Sequence, residues 1–172
     1  MENIYFILIF LPVFLAFAAF FADKKAARVS EKKKGWQKIR DASSIAAGVA
    51  EFIFMGMLAF YGMGSELCLP NVCGMGLSFT LDGFRGVYGL VAAFMWMMTL
   101  FFSKEYLSHE EHLGRYYFFQ LVTLSATLGV FLSADLFTTF VFFEVMSFTS
   151  YVWVVQEETP GARKAAETYL GV

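Results

Sequence analysis

The sequence predicts an all-α membrane protein, a single integral membrane domain over residues 1–172. Three observations predict it. The chain is 58% hydrophobic and only 16% charged, with a mean hydropathy of +0.59, which is more apolar than an ordinary soluble domain. Its charges are clustered, which leaves long uncharged runs between them. Five of those runs approach the roughly 20 apolar residues that a helix needs to cross a hydrocarbon core of about 30 Å.

The first run, about Ile4 to Ala22, has no basic region before it and no small-x-small cleavage site before its charges, so it reads as a retained span and not a signal peptide. The others are placed at about Ser44 to Met63, Phe84 to Phe102, Tyr116 to Ser133 and Leu136 to Val155. After the Pro-Gly turn in TPGARKAAETYLGV a sixth helix begins at about residue 161 and stops within about three turns. The expectation is a truncated or split subunit, with a further chain supplying the missing helices.

Charge placement orients the bundle. DKKAARVSEKKKGWQKIRD carries Lys24, Lys25, Arg28, Lys32, Lys33, Lys34, Lys38 and Arg40, while no Lys or Arg precedes the first span. By the positive-inside rule this segment is cytoplasmic and the N-terminus lies outside, in the plasma membrane. Lys104 with Arg115, and Arg163 with Lys164, fall on the same side, whereas Gly64 to Leu81 and Ser133 to Asp135 carry no basic residue.

The extracytoplasmic segment between the second and third spans reads as a short hairpin, with GLSFTL alternating as a strand does. It holds both cysteines, Cys68 and Cys73, around a Pro-Asn turn. An oxidising compartment permits a disulfide between them, and two free thiols are the alternative. Two sulfurs with no nearby His do not make a zinc site.

One carboxylate stands out. Glu144 lies nine residues beyond Asp135 in LFTTFVFFEVMSFTSYVWVV, so it is about 13 Å deep at 1.5 Å per residue. A charge there costs roughly 2.5 to 3.5 kcal/mol on insertion scales, which marks it for proton or ion handling. Ser147 and Tyr151, three and seven residues on, share its face. Gln120, Thr123 and Thr127 form a similar stripe on the preceding helix, and Asp135 fits the N-cap between them. Taken singly, those hydroxyls also suit helix packing and back-bonding.

Glu51, in AAGVAEFIFMG, is a second intramembrane acid, for which a structural pairing and a place on a proton path both stand. The small residues Ala46, Ala47, Gly48 and Ala50 read as a close helix contact. Asp82 and Arg85 suit an i, i+3 structural pair at the outer mouth of the third span. His109 and His112, beside Glu110 and Glu111, read as solvated surface and not as a metal site.

Several enzyme classes are excluded by motif. The chain has no Gly-x-Ser-x-Gly elbow, no His-Glu-x-x-His helix, no phosphate-binding glycine loop and no pair of intramembrane aspartates. The confined basic cluster has no stacking platform beside it, so nucleic acid is not a partner. No cofactor and no metal are expected.

LSFTLDGFRGVYGL, FFSKEY, RYYFFQLVTLSATLGVFLSADLFTTFVFFEVMSFTSYVWV and KAAETYL together resemble the N-terminal third of the antiporter-like subunits. These subunits occur in complex I, Mrp cation/proton antiporters, membrane-bound hydrogenases and formate hydrogenlyases. The resemblance runs from about Leu77 to Leu170, and its most specific part is S-A-D-L, then F-F-E, then S-x-x-S-Y. It implies that Glu144 matches the acid of the family's proton-translocating apparatus, and that Asp82 and Gly83 match its Asp-Gly at the third helix. Family members have about fourteen helices built from inverted repeats. The buried lysine that pairs with the glutamate lies downstream in the family and is absent from this sequence.

The resemblance implies translocation of H⁺, or exchange of Na⁺ for H⁺, within a larger membrane complex of a redox-driven or Mrp type. On this reading the partners are the bilayer and other membrane subunits. The chain itself carries no catalytic site, though it would serve a proton-translocating oxidoreductase of the NADH–quinone or hydrogenase type. The alternative is a structural or assembly subunit that packs against partner helices without its own ion path.

Overall fold

The computed structural model describes residues 2–28, 33–107, 113–156 and 159–170. The elements in chain order are α1 (Glu2–Arg28), α2 (Lys33–Tyr61), β1 (Glu66–Leu69), β2 (Leu77–Thr80), α3 (Gly83–Tyr106), α4 (Leu113–Leu132), α5 (Leu136–Val154) and α6 (Pro160–Leu170). A short 3₁₀ turn, Val72–Gly74, lies between the strands. The molecule is an all-α membrane bundle with one small hairpin at one end.

Helix α1 shows why these helices bundle. Tyr5, Leu8, Ile9, Ala16, Ala19 and Ala22 are buried at three- and four-residue spacing, while Phe6, Phe10, Phe14, Phe17 and Phe21 are exposed on the opposite side. Small residues bring the helix inward and large aromatics cover its outer face, as a lipid-facing helix requires. Pro12 removes a backbone donor within α1. The Ser125 hydroxyl of α4 donates to the nearby Ile9 carbonyl, the kind of side-chain substitution that keeps a proline tolerable inside a span.

Helix α4 is the centre, packed against α1, α3 and α5, with thirteen of its residues buried. Close approach depends on glycine. A Cβ at Gly129 would stand 2.3 Å from the Phe142 ring of α5, and one at Gly114 would stand 2.5 Å from Asp23 of α1. Gly48 and Gly89 play the same part between α2 and α3, against Leu100 and Met55.

Three helices are long and apolar enough to cross a membrane: Asn3–Arg28, Lys34–Tyr61 and Gly83–Tyr106. The expectation was five. Helix α5 is apolar but shorter over Leu136–Val152. Helix α4 carries Arg115, Tyr116, Tyr117 and Gln120 in its first half, and being surrounded by protein it needs less apolar surface of its own.

The boundaries at the basic segment also differ from expectation. Helix α1 runs on to Arg28 and α2 begins at Lys33, well before Ser44. Ser43 and Ser44 do not cap a helix there; their hydroxyls donate back to the Arg40 carbonyl at 2.8 and 2.9 Å, which is helix-interior behaviour. Lys and Ala are good helix formers, and Lys25 lies 4.9 Å from the Trp36 ring centroid across the two helices.

The hairpin pairs Leu67 with Phe79 and Cys68 with Ser78. Leu67 and Phe79 turn inward and are buried. At Gly76 φ is +96°, and a Cβ would meet the Leu69 carbonyl oxygen at 3.0 Å, so only glycine suits the turn. Cys68 is a free, exposed thiol, with the Ser78 hydroxyl 3.8 Å from its sulfur. The Cys73 side chain, the other half of the disulfide considered above, lies outside the described residues, as do His109 and His112.

Candidate functional site

Asp135 starts α5 and so sets where its side chains point. Its Oδ1 accepts from the Thr138 backbone N–H at 2.7 Å, and its Oδ2 accepts from the Thr138 hydroxyl at 2.8 Å. Those two donations, the backbone one foremost, hold the Asp135 carboxyl below the usual carboxylate range. The Thr138 hydroxyl also accepts from the Ser78 backbone N–H at 2.9 Å, and Ala134 donates its N–H to the Ser78 carbonyl at 2.8 Å. The α4–α5 turn is therefore stitched to β2.

A neighbouring cap completes this end. Asp82 accepts from the Arg85 backbone N–H at 2.8 Å and pairs with the Arg85 guanidinium. The backbone donation, followed by the guanidinium, lowers the Asp82 carboxyl. Arg85 also donates to the Ser133 carbonyl at 3.2 Å. Tyr5 joins from α1, its hydroxyl donating to the Ser65 carbonyl at 2.9 Å. The hairpin, α1, α3 and the α4–α5 turn thus share one polar clamp.

Nine residues along α5 from Asp135, Glu144 is half-buried. It lines a groove of about 910 Å³ between α5 and α6, together with Phe143, Ser147, Phe148, Ala165, Thr168 and Tyr169. Helix α6 is held there from its start: Thr159 caps it through a 3.1 Å bond from the Ala162 N–H, with Pro160 in the first turn. The groove sets a carboxylate beside three hydroxyls, those of Ser147, Thr168 and Tyr169. Tyr151 is half-buried further along α5.

The α4 stripe lies elsewhere. Gln120, Thr123 and Thr127 are all buried, but Thr123 meets α5 at Thr149, with the two hydroxyls 2.7 Å apart. Thr123 and Thr127 also donate back to the carbonyls of Phe119 and Thr123, each at 2.8 Å. The Gln120 side-chain amide has no hydrogen-bond partner among the described residues. Glu144 with Ser147, and the α4 stripe, are thus two separate polar sets. Glu51 is a third, in the interior of the bundle on α2.

Arg40 is a functional-end residue that its sequence context concealed. It is 6% exposed, with Nη1 2.7 Å from Asp23 of α1 and Nη2 2.7 Å from its neighbour Asp41, and its guanidinium lies over the Tyr117 ring of α4. Among so many cations Arg40 looked like one more positive-inside residue. The available signal was the pair of acids, Asp23 and Asp41, bracketing a basic run.

Among the described residues, no group of three or more His, Cys, Asp or Glu is placed to hold a metal ion.

No family model matches the chain. Over 86 residues it is 33% identical to Na(+)/H(+) antiporter subunit A1 of Staphylococcus haemolyticus, covering 50% of this chain and 11% of that protein. Over 80 residues it is 35% identical to a second Na(+)/H(+) antiporter protein, from Alkalihalophilus pseudofirmus, covering 46% of this chain and 16% of that protein. The chain is a relative of these antiporter subunits. It spans well under a fifth of the length of each of these two curated proteins.

The antiporter-like fold extends beyond the matched half. A chain of the membrane-bound sulfane sulfur reductase, an archaeal respiratory membrane complex, superposes on 96% of this chain with a TM-score of 0.75 at 18% identity, the match covering 33% of that chain. At that identity the likeness concerns the fold. The protein is accordingly a multi-pass membrane protein whose relatives are subunits of membrane complexes.

Proposed function

We propose that the chain translocates protons, or exchanges Na⁺ for H⁺, as an antiporter-like subunit of a larger membrane complex, with Glu144 as its intramembrane proton-handling carboxylate. The observation that carries this reading is the groove in which Glu144 of the apolar helix α5 faces Ser147, Thr168 and Tyr169. An acid within an apolar span is costly and is rarely retained without a role in transport. Here it opens onto hydroxyls that can pass a proton through water.

In this reading five spans cross the plasma membrane with the N-terminus outside, and α6 contributes the far wall of the Glu144 groove. Glu144 takes up a proton on one carboxylate oxygen and releases it from the same group. Ser147 and Tyr151 continue the polar face of α5 toward the cytoplasmic end. The two Na(+)/H(+) antiporter relatives support the ion, and the respiratory complex supports a setting among other membrane subunits. Either an Mrp-type or a redox-driven complex is compatible with these likenesses.

A structural or assembly role is the competing reading. The test is Glu144→Gln in the assembled complex. Coupled ion transport falls at unchanged complex abundance if Glu144 handles protons. A fall in abundance, with normal transport by the surviving complexes, assigns the glutamate to assembly.

A further inference from the structure

Glu51 is fully buried, 0% exposed, and neither carboxylate oxygen has a hydrogen-bond partner among the described residues. It belongs to one line on α2: Arg40, Ser44, Ala47, Glu51, Met55 and Leu58 are all buried, at the three- and four-residue spacing that puts them on one face. Eleven residues separate Glu51 from Arg40, about 16 Å along the helix. Ten separate it from Tyr61 at the other end. It is therefore central in its span.

Among the described residues, nothing at that level neutralises it. The charged residues of α1 are Glu2, Asp23, Lys24, Lys25 and Arg28; those of α3 are Arg85, Lys104 and Glu105; α4 has Arg115 alone. All lie toward helix ends. Arg40, on Glu51's own face, is occupied by Asp23 and Asp41. Of the tyrosines, Tyr5 bonds Ser65, Tyr116 bonds Ser103, and Tyr117 lies under Arg40.

A dry interior tolerates a carboxylate only when it is neutralised. Buried polar groups that no protein atom satisfies are the groups that internal water bridges. Gln120, also 0% exposed and with an unpartnered side-chain amide, is a second such group in the bundle interior.

We propose that Glu51 is a second reversible proton-binding site, separate from Glu144 and loaded from the Arg40 end of α2. Asp23 and Asp41, both held by Arg40, form an acidic mouth. The Ser44 hydroxyl lies one turn further in, donating to the Arg40 carbonyl at 2.9 Å. The small side chain of Ala47 fills the next turn, and Glu51 follows. In the loading step one proton adds to a Glu51 oxygen, and in release the same O–H bond breaks; no other bond changes. The side from which the proton arrives rests on the orientation proposed above. The site itself does not depend on Glu144, whose groove shares no residue with it.

Infrared difference spectroscopy on the assembled complex tests this. A protonated-carboxyl C=O band is expected that shifts in D₂O and vanishes as pH is raised. It should be lost in Glu51→Gln, displaced in Glu51→Asp and unchanged in Glu144→Gln. Coupled transport should fall at least tenfold in Glu51→Gln. If that variant does not assemble, dicyclohexylcarbodiimide, an apolar reagent that adds to carboxylic O–H groups, should label Glu51 in the native complex, and less so at high pH. A band insensitive to pH, absence of the label, or wild-type transport in Glu51→Gln overturns the proposal. A wild-type result in Glu144→Gln alone overturns the reading of Glu144 and leaves this one standing.

Discussion

The hydroxyls of Thr123 in α4 and Thr149 in α5 meet at 2.7 Å, and this contact fixes which face of α5 the central helix receives. Glu144 is five positions from Thr149, about 140° around the helix. The face of α5 that carries Glu144 is therefore turned toward α6. The polar contact on α4 locks the two helices together, and the carboxylate is left for the groove.

Thr123→Val should accordingly cost stability and not transport. Interhelical hydrogen bonds of this kind are worth about 0.6 kcal/mol and at most about 1.7 kcal/mol. Thermal unfolding in detergent should show a small loss, with coupled transport by the folded complex unchanged.

Gly129→Ala should be worse, because its Cβ would overlap the Phe142 ring at 2.3 Å. Overpacking costs typically about 1 to 3 kcal/mol. Adding Phe142→Leu should recover much of the loss, and a double-mutant cycle on melting measures the recovery.

Arg40→Gln should destabilise the α1–α2 end. Breaking a buried ion pair costs about 3 to 5 kcal/mol. Asp23 keeps 28% of its side-chain exposure, so water screens the orphaned acid and a loss of about 2 to 3 kcal/mol is expected. Arg40→Gln with Asp23→Asn should be less destabilised than the sum of the two single changes.

Acid should weaken the hairpin end. The Asp82 and Asp135 carboxyls are both lowered in the folded protein, so the fold favours their ionised forms. That stability is fully present above the unfolded value of about 3.9 and is lost as pH falls through the lower folded values. Melting temperature followed below about pH 4 should decline, and the decline should be shallower in Asp135→Asn.

These residues also show what the sequence made legible. Charge clustering placed the apolar runs of α1, α3 and α5 within a few residues, because a bilayer penalises ionised side chains at depth. It misjudged the basic segment, since Lys and Arg mark the end of a span but do not end a helix. The facing of Glu144 was also hidden. Helix α5 is apolar all round, so no periodicity says which side meets protein, and Gly129 against Phe142 decides it only in three dimensions. Arg40 was hidden for the opposite reason, being one cation among eight in its segment.

The central claim is that Glu144 handles the translocated proton. Coupled proton transport measured in vesicles containing the assembled complex, wild type against Glu144→Gln, tests it most directly. The account predicts normal assembly with transport lost in the variant. Full coupled transport by Glu144→Gln at wild-type abundance would contradict it.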